Sequence, residues 1–137
     1  MGEVKNDKMN GKGIMFDKYL RKYCEGYFKE NFLYSNFSKT YWDNGNVEYE
    51  GGFFENRRDE FGIYYLKDGS KKYEGKWFNN LRDGKGISFY YDGISILYDG
   101  EWKKDLLHGE GKEFDIDGNI IKQGLFENGE VIMKSFY

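Results

Sequence analysis

Tyr73-Glu74-Gly75-Lys76-Trp77-Phe78-Asn79-Asn80-Leu81-Arg82-Asp83-Gly84-Lys85-Gly86-Ile87-Ser88-Phe89-Tyr90-Tyr91-Asp92-Gly93 is the stretch from which the architecture is read. Tyr73, Gly75 and Trp77 alternate with Glu74 and Lys76, so an extended strand puts the first three on one face and the charges on the other. Asn79 to Asp83 reads as a polar turn segment. A second strand then runs through Gly84, Gly86 and Ser88, with Ile87 and Phe89 on its opposite face. Asp92-Gly93 predicts a tight reversal, because both residues tolerate the positive φ of hairpin turns. The stretch is one β-hairpin. Glycine weakens a strand unless something needs the space beside the backbone. The rings of Tyr73 and Trp77 are therefore expected to lie across Gly75, Gly84 and Gly86.

The hairpin recurs along the chain. Gly2, Gly26, Gly51, Gly75, Gly100 and Gly124 are each followed two residues later by Val4, Phe28, Phe53, Trp77, Trp102 and Phe126, at steps of 24, 25, 24, 25 and 24. The fifth unit repeats the fourth with Tyr98, Gly100, Trp102, Gly109, Gly111 and Asp117-Gly118. The third has Tyr49, Gly51, Phe53 and Gly62, with Glu60 in place of the first glycine of its second strand. The first keeps Gly2, Gly11 and Gly13. The second departs most: Cys24 takes the Tyr position, and Ser35 and Phe37 are read as standing where the paired glycines belong. A period this regular means stacked identical units.

The expected fold is all-β: an elongated single-layer antiparallel meander of stacked hairpins, about five and a half units, with essentially no helix. The whole chain 1–137 reads as one array, with units at 1–22, 23–47 (degenerate), 48–71, 72–96, 97–120 and a partial 121–137. At two strands per unit and about 4.8 Å per strand, the ribbon is roughly 50 Å long.

Composition agrees. Aromatics make up 20 % of the chain and apolar residues only 39 %, with 19 glycines, no proline and no alanine. Tyr, Phe, Trp and Ile suit strands, and wide rings must cover backbone that few aliphatic side chains are present to bury. The formal charge of −3 arises from 21 basic and 24 acidic residues spread along the sequence, whereas nucleic-acid binding needs a clustered positive face. Lone Cys24 and the lack of an apolar N-terminal stretch suit a reducing cytosol, and no run of about 18 apolar residues is present to span a membrane.

Several motifs look like chemistry and fail as such. Asp115-Ile116-Asp117-Gly118-Asn119 opens like a calcium loop, but Ile120 and Phe126 stand where Gly and Glu are required. The Gly-x-Gly pairs at 11/13, 84/86 and 109/111 do not continue as phosphate cradles, and the repeat period explains them. His108 is the single histidine, without a Ser or Cys and an orienting group at catalytic spacing, and reads as a turn or packing residue. Asn36-Phe37-Ser38 matches a glycosylation pattern by chance. Cys24 reads as a small buried hydrophobe. Neither a cofactor, a metal nor a catalytic residue is expected.

Tyr-Glu-Gly-Lys-Trp at 73–77 and Tyr-Asp-Gly-Glu-Trp at 98–102, each followed by Gly-x-Gly and then Asp-Gly, resemble the membrane occupation and recognition nexus (MORN) repeat. The resemblance covers about five units. It implies a single-layered antiparallel meander with a groove along one face, used as a scaffold or docking module with protein partners in cytoskeletal and junctional assemblies. Phospholipid binding has been proposed for the family, and such arrays occur beside the catalytic domains of some lipid kinases and protein lysine methyltransferases.

The expected function is thus a non-catalytic scaffold, cytoplasmic and cytoskeleton- or membrane-associated, that docks an extended or helical protein segment. The groove residues are read as Phe28, Tyr49, Phe53, Tyr73, Trp77, Tyr98, Trp102 and Phe126, since aromatic side chains bury large area at small entropy cost. Gly26, Gly51, Gly75, Gly84, Gly86, Gly100, Gly109, Gly111 and Gly124 are the structural glycines beneath them. Two alternatives stand beside this reading. One is a peripheral membrane module that meets anionic lipid through Arg57, Arg58, Lys71, Lys72, Lys103 and Lys104, and the other is the accessory array of a larger enzyme. The closing strand Val131 to Tyr137 is apolar enough to pair with its own copy in a homodimer.

Overall fold

A computed structural model describes residues 1–134 of the chain. Every element in it is a strand, and all twelve form one antiparallel sheet whose spatial order is the sequence order. Unit one is β1 (Gly2–Lys5) and β2 (Lys8–Phe16), unit two β3 (Lys22–Lys29) and β4 (Phe32–Tyr41), unit three β5 (Val47–Phe54) and β6 (Arg57–Tyr65). Unit four is β7 (Lys71–Phe78) and β8 (Leu81–Phe89), unit five β9 (Ile96–Lys103) and β10 (Leu106–Phe114), unit six β11 (Ile120–Glu127) and β12 (Glu130–Lys134). The closing strand is described as far as Lys134; Ser135, Phe136 and Tyr137 lie outside the described residues.

Two kinds of reversal alternate. Within a unit the strands are joined by two residues, both left-handed, such as Asn79 (φ 51°) and Asn80 (φ 69°). This is the type I′ geometry, whose twist matches that of the strands. The reversal is therefore shorter than the polar segment suggested, and Leu81 to Asp83 belong to β8. Between units a longer loop turns on a left-handed residue, Leu20 (φ 62°) in the first and glycine in the others, as at Gly69 (φ 92°), and Asp68 Oδ1 accepts the Ser70 amide at 2.9 Å.

The two longer glycine steps have separate causes. The loop after β8 spans one residue more than its counterparts, since Tyr90 bonds to Ser95 where Leu66 bonds to Ser70. In unit two the extra residue lies inside the strand: β4 has ten residues where β2, β6, β8 and β10 have nine.

The paired glycines do different work. A Cβ on Gly86 would lie 2.1 Å from the Tyr73 hydroxyl oxygen, so this glycine makes room for the ring. Gly84 sits in a bulge at φ +100°, and a Cβ there would meet the Lys76 side chain rather than a ring. Its place is set by backbone conformation. Unit three puts Glu60 in that bulge at φ 59°, and unit two puts Ser35 there at φ 118°. The second glycine position of unit two is held by Ser38, which pairs with Gly51, and not by Phe37. Asn36 and Phe37 fill the stretch where other units have one residue, and Phe37 is 90 % exposed.

Candidate docking face

The core is a single file of rings on one face of the sheet. Phe53, Tyr49, Trp77, Tyr73, Trp102, Tyr98 and Phe126 meet edge to face in that order, with centroids 5.0–5.5 Å apart and planes at 81–88°. Such contacts set the negative face of one ring against the positive edge of the next. Every polar handle in the file is satisfied by backbone. The hydroxyls of Tyr49, Tyr73 and Tyr98 donate to the carbonyls of Gly52, Lys76 and Glu101 at 2.9–3.0 Å. The indoles of Trp77 and Trp102 donate to Gly62 and Gly86 of the preceding unit, each at 3.1 Å. Arg58 and Arg82 lie over Trp77 and Trp102, with the guanidinium 4.9 and 4.2 Å from the ring centre.

Packing this close leaves little ring surface. Phe28, Tyr49, Phe53, Tyr73, Trp77, Tyr98, Trp102 and Phe126, the residues expected to line a groove, are all buried, none showing more than 8 % of its surface. Burial pushes the Tyr98 phenol up to about 12 and those of Tyr49 and Tyr73 higher. It also raises the Cys24 thiol to about 11, which leaves it protonated and unreactive at neutral pH.

A hollow of about 250 Å³ lies on the ring face among Arg58, Tyr64, Trp77 and Arg82, and three larger ones lie on the other face. One of about 610 Å³ involves Lys12, Ile14, Glu25, Tyr27 and Phe37; one of about 630 Å³ involves Phe37, Lys39, Glu50, Glu60, Phe61 and Ile63; one of about 380 Å³ involves Asp99, Glu110, Lys112 and Leu125. Together they follow the long axis of the ribbon. A carboxylate precedes the first glycine of units two to five on this face, at Glu25, Glu50, Glu74 and Asp99, and the first three are anchored by neighbours. Tyr41 and Lys22 hold Glu25, Tyr65 donates to Glu50 at 2.5 Å, and Lys71 bonds Glu74 at 3.0 Å. The hydrogen bond from Tyr41 is the main cause of a lowered Glu25 carboxyl, while burial and then Glu50 push the Tyr65 phenol up to about 12.

The two halves of this open face differ. Units two and three expose Tyr27, Phe37 and Phe61, whereas the corresponding stretch of units four and five carries Lys76, Lys85, Glu101 and Glu110. Sequence reasoning missed the first set because these aromatics lie outside the Tyr-x-Gly-x-Trp file. The lengthened step through unit two was the available signal.

The basic residues considered for lipid contact are not brought together. Arg57, Arg58, Lys103 and Lys104 lie near the two-residue turns, Lys71 and Lys72 near the loops at the opposite long edge. Arg57 pairs with Glu55 at 3.3 Å and Lys71 with Glu74 at 3.0 Å. Asp115, in the calcium-like sequence, caps its own loop by accepting the Asp117 and Asn119 amides at 3.0 and 2.8 Å. Among the described residues no helix is long and apolar enough to cross a membrane.

A one-layer sheet of tandem hairpins, closed in units four and five by Tyr-x-Gly-x-Trp and Gly-x-Gly strands and in the others by variants of them, defines a β-hairpin repeat protein. Residues 1–18, 49–71, 73–95 and 98–120 match the family model of the MORN repeat, more than half of the chain. The chain belongs to the MORN repeat family. Comparison with curated proteins returned no match. MORN repeats are non-enzymatic modules that generally serve protein or membrane interaction.

Proposed function

We propose that this chain is a non-catalytic scaffold that docks a protein segment along the open face of its sheet, within a cytoskeletal or membrane-associated assembly. The observation that carries this reading is the placement of three hollows in one line on the face opposite the rings. A ribbon about 50 Å long at strand spacing offers length for an extended segment or for a helix of several turns. The ring file supports docking from behind. Its edge-to-face contacts fix the spacing of the units, so a partner meets a pre-ordered surface and spends little of its binding free energy on ordering it.

Photo-crosslinking separates the two faces. A photoreactive residue at Ile63, Ile87 or Lys112 reports the open face, and one at Thr40 or Glu113 reports the ring face. Adducts with one partner from the first set alone support the reading. Adducts from the second set, lost on substitution of Trp77 or Trp102 without unfolding, move docking to the ring face and defeat it.

A further inference from the structure

Four departures from the repeat converge on one place. Phe37 lies in the lengthened stretch of β4 between Ser35 and Ser38. Ser35 and Glu60 hold left-handed bulges where units one, four and five use Gly11, Gly84 and Gly109. Gly52 replaces the long side chain found at Tyr27, Lys76 and Glu101. Phe37, Glu60 and Phe61 line the 630 Å³ hollow, Ser35 borders the adjoining one, and Gly52 lies in β5 between the two phenylalanines.

Residues shared by every unit hold the sheet, so they cannot tell one partner from another. Residues that depart from the pattern are free to do so. Glu60 is the more telling because a left-handed side chain carries a conformational cost that glycine avoids. Its carboxylate is exposed at the rim of the hollow, with Asp59 beside it, while the other rim charges, Lys39 and Glu50, pair with each other at 3.9 Å. The walls are apolar: Phe37 is 90 % and Phe61 56 % exposed, and Ile63 forms part of the floor.

We infer that this hollow is the specificity pocket of the docking face. It takes a large apolar or aromatic side chain of the partner segment between Phe37 and Phe61, and Glu60 receives a Lys or Arg next to that side chain. The inference rests on the open face being the docking face. A bulky apolar anchor in a desolvated cleft with an adjacent charge pair is how a few residues come to dominate an interface. Lys and Glu occupy the corresponding places of units four and five, so the pocket is used once in the array.

Selection of a phage-displayed library of random 12-residue peptides on the whole chain tests this. Enriched peptides are expected to carry an aromatic or large aliphatic residue beside Lys or Arg. Glu60→Lys should weaken the best such peptide by at least tenfold and shift selection toward Asp or Glu at the flanking position. Phe37→Ser should weaken it to a similar extent, and both side chains are exposed, so the fold should be retained. Glu60→Gly should lose binding severalfold while melting at a higher temperature, a split that a purely structural glutamate would not give. Enrichment lost on Phe37→Ser but indifferent to Glu60→Lys overturns the charge-reading pocket and leaves open-face docking standing. Failure to enrich any peptide, or enrichment indifferent to Phe37, Phe61 and Glu60 alike, overturns the pocket. Open-face crosslinks then decide separately whether the docking reading survives.

Discussion

Units two and four are the same hairpin built by different means. In unit four Tyr73 lies across Gly86 and wedges between Trp77 and Trp102. In unit two Ser38 stands at the Gly86 position, and its Cβ takes the space a tyrosine ring would need. Cys24 occupies the Tyr73 position, and Leu33 is buried beside it. The two changes belong together, because a ring requires a bare neighbour and a serine requires a small one. The ring file accordingly runs from unit three onward, and unit two is closed by smaller groups. What the repeat conserves is filled volume over the strand pair, and either solution supplies it.

Making unit four resemble unit two without compensation should have the largest effect. Gly86→Ala drives a methyl into Tyr73, whose ring is 1 % exposed and wedged between Trp77 and Trp102. We expect a loss of about 3 kcal/mol in denaturant unfolding, the scale of a displaced buried aromatic.

Alkali should act next, and mainly on the ring units. Tyr98 ionises near 10.0 in an open chain and about 12 in the fold. Above pH 10 the unfolded chain has lost this proton and the folded chain keeps it. Stability is therefore full below pH 10, falls as pH rises above it, and levels off past about 12. Each such tyrosine contributes up to about 1.4 kcal/mol per pH unit. Melting temperatures across this range, with and without Tyr98→Phe, measure the contribution of its phenol.

A double-mutant cycle sharpens the comparison. Cys24→Tyr alone should destabilise by about 2 kcal/mol through overpacking against Ser38. Adding Ser38→Gly should recover at least half of that loss, giving a coupling that independent sites would not show.

The smallest effect tests what the two units share. In units two to five the side chain of the second short-turn residue reaches back to the preceding unit. Asn56 Oδ1 accepts the Leu33 amide at 2.7 Å, and Asn80 Oδ1 accepts the Arg58 amide at 2.8 Å. Asn→Gly at either site keeps the left-handed turn and removes the acceptor, and should cost about 1 kcal/mol at both. Unequal losses would mean that unit two is held differently from its neighbours.

Much of this was legible in the residues. Alternation of Tyr, Gly and Trp with charged residues placed the rings on one face, and the fixed step between glycines placed the units in line. Period alone could not tell that seven rings pack edge to face until almost nothing of them shows, because burial depends on ring tilt and on Arg58 and Arg82 lying over them. The three largest hollows accordingly lie on the opposite side of the sheet. Gly84 and Gly86 looked alike as a pair, yet one serves backbone conformation and the other serves Tyr73. Phe37 was displaced by one position because an insertion inside a strand leaves the pattern on either side intact. The alternating 24 and 25 steps held that information without saying which residue was extra.

Strand order that equals sequence order has a further consequence for how the molecule is made. Each strand finds its partners immediately before and after it, so no pairing waits for a distant stretch of chain to be synthesised. Low contact order of this kind favours rapid folding and lets structure grow from the ribosome one hairpin at a time. A stalled or truncated product would carry completed hairpins between the β1 edge and a second raw edge at its last strand, and that second edge is what a chaperone would have to shield.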